Sequence, residues 1–118
     1  MDTEVLVTTC DANARVGSVQ SSWIGPMRPE KENQNGRQQH QMLEEFDQIA
    51  SNTFFLQGGS SWTSSTGAQA RIDYVAIPRQ WASSLVVAGT HGEIVLGSGD
   101  FTDHKVVYAK VRMRAPKD

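Results

Sequence analysis

The spacing of apolar and polar positions predicts one helix followed by many short strands. Glu4 to Cys10 (Glu-Val-Leu-Val-Thr-Thr-Cys) is rich in β-branched residues and stops at Asp11-Ala12-Asn13, which reads as a short buried strand. Residues 14 to 34 carry Gly17, Ser18, Ser21, Ser22, Gly25, Pro26 and Pro29 and read as a long loop. Loops of that length in compact domains are usually functional or wrap a site. Asn35-Gly36 then opens a helix, with Asn35 as the expected N-cap and Gln38 three residues on. Met42, Leu43, Phe46, Ile49 and Ala50 form its apolar face, and Glu44, Glu45 and Asp47 its solvated one.

Beyond Ala50 the pattern shifts to strands at Asn52–Leu56, Ser61–Thr63, Arg71–Ile77, Ser84–Val87 and Glu93–Leu96. Gly58-Gly59 and Ser64–Gly67 are turn material, Pro78 closes one strand, and Trp81 caps a short helical turn. His104–Met113 is the last strand, with Val107, Ala109, Val111 and Met113 on one face and Tyr108, Lys110, Arg112 and Arg114 on the other. One helix followed by many strands is an α+β or layered-sandwich pattern rather than a doubly wound sheet.

Composition narrows the function classes. The chain has 118 residues, 38% hydrophobic and 20% charged, which is the size and balance of one modest globular domain. The net charge of -2 argues against a protein that holds nucleic acid by phosphate contacts alone. A metal-dependent enzyme escapes that objection, because its cation supplies the positive charge. Cys10 is the single cysteine, so a disulfide-stapled scaffold is excluded. No apolar run has the length of a signal peptide or a membrane span, and the expectation is an intracellular protein, nuclear or cytoplasmic, with no membrane contact.

Three places put acids or amides where strand physics does not ask for them. Asp11 and Asn13 follow a strand end two residues apart, so continued extension would point both to one side; an Asx turn accounts for the same pair. Asp73 shares a strand face with Val75 and Ile77, where a carboxylate is costly unless paired, unless that face lies at a wet rim. An imidazole or a backbone donor is its expected partner. Asp103-His104 precedes the last strand and joins a carboxylate that can touch metal to an imidazole that can touch phosphate, a pair that also arises by chance. Acids, an amide and a His gathered at strand ends suit a hard cation, Mg²⁺ or Mn²⁺, and no cysteine cluster or paired-His spacing suits zinc.

These motifs resemble, in order and spacing from about residue 5 to 112, the C-terminal half of the endonuclease/exonuclease/phosphatase family. Residues 7 to 17 (Val-Thr-Thr-Cys-Asp-Ala-Asn-Ala-Arg-Val-Gly) resemble its Gly-Asp-Phe-Asn segment with an Ala-Arg-Val-Gly continuation. Asn33-Gln34-Asn35-Gly36 resembles its Asn-x-Asn-Gly before the helix, and Asn52-Thr53-Phe54-Phe55 and Trp62-Thr63-Ser64 the strand pair that follows. Arg71-Ile72-Asp73-Tyr74-Val75 resembles its Gln-Ile-Asp-Tyr-Ile strand, and Thr102-Asp103-His104 its terminal Ser-Asp-His. The nearest flavour is that of reverse-transcriptase-associated endonucleases of retroelements.

The resemblance implies a four-layer α/β sandwich with mostly antiparallel sheet, of which residues 1–118 are a partial, C-terminal domain. It implies metal-dependent phosphodiester hydrolysis on DNA by the complete domain. Asp11 would be the general base, Asn13 would position the phosphate, Asp73 would orient His104, and His104 would bind a phosphate oxygen. Asp103 would contact the metal, and Ser61 stands where the family often has a supporting, substrate-side Thr. Cys10 and Thr102 depart from the usual Gly and Ser. The family's first half carries an Asn, the main metal-binding Glu and a Tyr/Asn region. None lies upstream of Glu4, and Glu30, Glu32, Glu44 and Glu45 do not match. The expectation is therefore that the isolated chain is inactive and that its other half lies in a missing segment or another chain. The alternatives are a non-catalytic interaction module, or a phosphomonoesterase or phosphoinositide phosphatase of the same fold. The loop with Arg15, Trp23, Arg28 and Lys31 would decide the substrate, with Trp23 and Arg28 either gripping nucleic acid or anchoring the loop.

Overall fold

The computed structural model describes residues 6–96 and 103–113, without the side chains of 92–96 and 103. Its elements are β1 (Thr8–Asp11), α1 (Gln34–Phe46), β2 (Gln48–Ala50), a 3₁₀ turn (Ser51–Thr53), β3 (Trp62–Thr63), β4 (Gln69–Ala70), β5 (Asp73–Pro78), a 3₁₀ turn (Arg79–Ser84), β6 (Leu85–Leu96) and β7 (Asp103–Val111). The strands form two antiparallel sheets, one of order β1-β5-β2 and one of order β4-β3-β7-β6. With one main helix beside them, the fold is α+β.

Alternation along β5 divides the core in two. Tyr74 and Ala76 point to one side and pack with Ala14, Val16, Ile24, Leu43 and Ala50, under α1 and the long connection before it. Val75 and Ile77 point to the other and, with Ile49, meet Trp81 of the second 3₁₀ turn and Leu85, Val107, Ala109 and Val111 of the second sheet. The chain is thus layered as helix and loop, three-stranded sheet, four-stranded sheet. Val107, Ala109 and Val111 take the core-facing positions that their alternation predicts, whereas Met113 lies past the strand and is exposed.

Several boundaries differ from those the sequence suggests, each for a local reason. The first strand runs on through Asp11, because Asp11 pairs in register with Asp73; Glu4 and Val5, where it was expected to begin, lie outside the described residues. The N-cap of α1 is Asn33, not Asn35: its Oδ1 accepts from the Gly36 N–H at 2.7 Å and from the Arg15 N–H at 3.1 Å. The helix stops at Asp47, which adopts the left-handed conformation, so Ile49 and Ala50 belong to β2 and Phe46 is left exposed.

No strand forms over Asn52–Leu56. Instead Ser51 and Asn52 spend their side chains on the β5 backbone: Ser51 Oγ donates to the Val75 carbonyl at 2.6 Å, and Asn52 Nδ2 to the Asp73 carbonyl at 3.0 Å. Ser84–Val87 and Glu93–Leu96 are joined in the single strand β6, which carries Gly89 through and absorbs the misfit in register shifts against β7. No helix among the described residues is long and apolar enough to cross a membrane.

Candidate active site

Three strand ends converge at one edge of the cleft between the sheets. Asp11 ends β1, Asp73 begins β5 directly opposite it, and His104 lies at the start of β7. Asp73 faces the second sheet, as its parity with Val75 and Ile77 predicts, and its partner is an imidazole: Asp73 Oδ2 lies 3.0 Å from His104 Nδ1. An ionised carboxylate only accepts, so Nδ1 carries the proton of that bond. The far nitrogen, Nε2, faces Asp11 Oδ2 at 3.8 Å. Ligand atoms of Asp11, Asp73 and His104 all lie within 4.8 Å of one another. They rim a cavity of about 500 Å³ that Thr9, Cys10, Lys105 and Val107 also line. Burial dominates at the Cys10 thiol and pushes it above its ordinary value, so this cysteine stays a neutral wall of the cleft.

The cluster is held from behind by groups that never reach the cleft. Ser61 is fully buried, and its Oγ accepts from the N–H groups of both Ile72 and Asp73 at 3.0 Å. This corrects the expectation that Ser61 touches substrate: it positions the backbone of Asp73 instead. Asn52 clamps the same residue through its carbonyl and takes the Val75 N–H at 3.4 Å. Tyr74 shares its hydroxyl between the carbonyls of Ala14 at 2.7 Å and Arg71 at 2.9 Å, tying the segment after β1 to β5. Burial pushes its phenol up to about 12.

Asn13 does not join the cluster. Its backbone is left-handed (φ 46°), so the extended geometry that would align it with Asp11 is broken. It lines a separate depression with Arg15, Lys31, Glu32, Asn33 and Asn35, and Asn35 Nδ2 donates to its carbonyl at 3.1 Å. The Asp103 side chain and Thr102 lie outside the described residues. Trp23 and Arg28 do not form a free grip: Trp23 Nε1 donates to Asp47 Oδ1 at 2.9 Å and its ring packs on the core, while Arg28 Nε donates to the Leu56 carbonyl at 3.1 Å. Of the residues that sequence reasoning missed, Lys105 carried no signal. Asn52 carried one, since an amide in a buried run calls for backbone partners.

A second histidine cluster lies in the loop-and-helix layer. His40 Nδ1 is 2.9 Å from Glu32 Oε1 and Nε2 is 2.6 Å from Ser21 Oγ, an order of groups resembling a nucleophilic triad. Ser21 Oγ also accepts from the N–H groups of Trp23 at 3.1 Å and Ile24 at 3.2 Å. Its lone pairs are occupied, so the hydroxyl is a strap for the loop and not a nucleophile.

Compared with models of known protein families, with curated proteins and with solved structures, the chain matches none of them. Fold and site define an α+β chain with an Asp–His–Asp cluster at the mouth of an inter-sheet cleft.

Proposed function

We propose that this chain supplies part of a metal-dependent phosphodiesterase site of the endonuclease type, with DNA as the substrate of the complete site. The observation that carries the reading is the Asp11–His104–Asp73 array, in which one nitrogen of the ring is fixed and the other faces an open cleft. The donor set fits a hard divalent cation, Mg²⁺ or Mn²⁺: two carboxylates and one imidazole, with Cys10 nearby but held as a neutral thiol. Asp11 would hold such an ion, with Asp103 beside it on the strength of the family resemblance. When bound, the cation would lower the pKa of water and offset charge at phosphorus.

The chain's own residues have separate tasks. Asp11 takes the proton of the attacking water. His104, with Nδ1 engaged by Asp73, would offer Nε2 either to the ion or, when that nitrogen carries a proton, to a non-bridging phosphate oxygen. Asp73 keeps the ring from turning, and Ser61 and Asn52 keep Asp73 in place. Water attacks phosphorus, the bond to the leaving oxygen breaks, and that oxygen leaves with a proton from solvent.

Incompleteness of the chain by itself belongs to the same reading. The Asp11 side chain is 60% exposed, and preorganised charge works best with water excluded. Leu6 and Val7 are also exposed, next to β1 at the outer edge of its sheet. Both features suit a covering element from a missing half or another chain, and completion of a layered sandwich. An intracellular setting, nuclear or cytoplasmic, accompanies this reading.

Binding of Mn²⁺, followed by electron paramagnetic resonance, tests the site. Asp11→Asn is expected to weaken binding at least tenfold, the scale of losing a group that organises a metal site. Equal binding by wild type and Asp11→Asn would overturn the metal site. In a parallel plasmid-nicking assay with Mg²⁺ or Mn²⁺, the chain alone is expected to nick no more than its His104→Ala variant. Nicking that needs both metal and His104 would uphold the site and overturn its incompleteness.

A further inference from the structure

The depression that holds Asn13 has chemistry of its own. It encloses about 420 Å³ and is lined by Asn13, Arg15, Lys31, Glu32, Asn33 and Asn35. Its acid is already engaged, since Glu32 Oε1 is 2.9 Å from His40 Nδ1. Asn33 is engaged as well, as the cap of α1. That leaves Arg15, Lys31, the Asn13 amide and the second N–H of Asn35 Nδ2 to face whatever enters. The Arg15 and Lys31 side chains are exposed and make no hydrogen bond or ion pair among the described residues.

The backbone beneath Arg15 is fixed with unusual care for an exposed cation. Its N–H donates to Asn33 Oδ1 at 3.1 Å, and its carbonyl accepts from the Asn33 N–H at 3.3 Å. Gly36 lies so close that a Cβ there would fall 1.9 Å from the Arg15 carbonyl oxygen. Two residues away, Asn13 holds a left-handed conformation, anchored by Asn35. Fixing the main chain while leaving the guanidinium free is the arrangement of a pre-positioned contact, because less order is lost when the ligand binds.

We infer that this depression is an anion pocket that takes a backbone phosphate of a nucleic-acid strand, with Arg15 and Lys31 as its cations and Asn13 and Asn35 as neutral donors. A fork of N–H groups on Arg15 suits two phosphate oxygens, and Lys31 adds a point charge. The pocket's relation to the reacting centre rests on the phosphodiesterase reading. Asn13 is two residues from Asp11, a chain distance of at most about 7 Å, so the pocket and the cluster are joined by one short stretch of chain. On that reading, the strand that meets His104 also lays a non-scissile phosphate in this pocket.

The test is fluorescence anisotropy of a labelled single-stranded 20-mer with the full chain, in EDTA, from 50 to 200 mM salt. The Arg15→Ala/Lys31→Ala variant is expected to bind at least tenfold more weakly at 50 mM salt. The slope of log affinity against log salt should shrink by about 1.4, two single-strand phosphate contacts at ~0.7 each. A control, Lys110→Ala/Arg112→Ala, removes two cations at the end of β7 and just past it and should leave slope and affinity near wild type. Equal affinity and slope in wild type and the Arg15/Lys31 variant would overturn the pocket, as would an equal loss in the control, which would signal charge without a site. Because EDTA removes any metal, the assay reads the pocket apart from a cation at Asp11. Loss in the Arg15/Lys31 variant without Mn²⁺ binding at Asp11 would therefore uphold the pocket and sink the hydrolase reading.

Discussion

Two histidines in this chain each hold a carboxylate through Nδ1, His40 at 2.9 Å and His104 at 3.0 Å, and they differ in what the other nitrogen meets. His40 Nε2 meets a serine hydroxyl at 2.6 Å whose remaining positions are filled by two backbone N–H groups. His104 Nε2 meets a carboxylate 3.8 Å away across an open cavity. The first cluster resembles catalytic machinery in its order of groups, yet nothing in it is free to react. The second is a looser array, with its second nitrogen at the rim of a cavity of about 500 Å³. An accessible nitrogen on a fixed ring, rather than the carboxylate–histidine pair itself, separates the two clusters.

Exchanging alanine for each histidine should split the two roles, and this is the largest effect expected. Glu32 and His40 are largely buried, so His40→Ala strands a carboxylate and should cost about 3 kcal/mol, the scale of breaking a buried pair. Urea denaturation measures it, and Mn²⁺ binding should be unaltered. His104→Ala should change stability by about 1 kcal/mol, as the loss of one part-exposed hydrogen bond, while weakening Mn²⁺ binding. Equal losses of stability with equal metal binding would erase the distinction.

How far the sequence reveals this contrast depends on whether a residue acts along its own strand or across the fold. Asp73 was legible: parity puts it on an apolar face, an acid there demands a partner, and the structure supplies His104. Asp11 was legible as a polar strand end. The pairing of Ser21, His40 and Glu32 was not, because a loop 19 residues from its partner follows no period. The helix end was misread because Ile49 and Ala50 continue the apolar spacing, and only the left-handed turn at Asp47 redirects them. Asn52–Leu56 looked like a strand because periodicity cannot show that Ser51 and Asn52 would use side chains in place of a ladder. Asn13 was placed beside Asp11 by assuming extension, which a positive φ defeats.

Ser61 sharpens the comparison at the next level down, since the open cluster is held from behind by this buried hydroxyl together with Asn52. Ser61→Ala leaves the N–H groups of Ile72 and Asp73 without their acceptor and should cost about 2 kcal/mol. If Ser61 only stabilises the fold, Mn²⁺ binding to the folded variant will match wild type. If it positions Asp73, binding weakens several-fold and Ser61→Thr, which keeps the hydroxyl, restores most of it.

The smallest effect at neutral pH, and the one that separates the faces of β5 directly, belongs to Tyr74. Asp73 turns to the cleft and Tyr74, the next residue, to the closed core, where burial raises its phenol to about 12. The unfolded phenol titrates near ~10. A folded value above the unfolded one means that its stabilising contribution is whole below pH ~10 and is lost as pH rises through about 12. Tyr74→Phe should cost about 1 kcal/mol at neutral pH, the worth of one hydrogen bond. Between pH 10 and 12 wild type should lose stability relative to the variant, so that the gap seen at neutral pH closes and then reverses, because a phenol raised this far outweighs one hydrogen bond. Urea midpoints taken across that range, with phenolate absorbance followed in parallel, report both changes. A gap that stays constant to pH 12 would mean that Tyr74 ionises as freely as in the unfolded chain. The closed face of β5 would then be as open to water as the cleft that Asp73 faces.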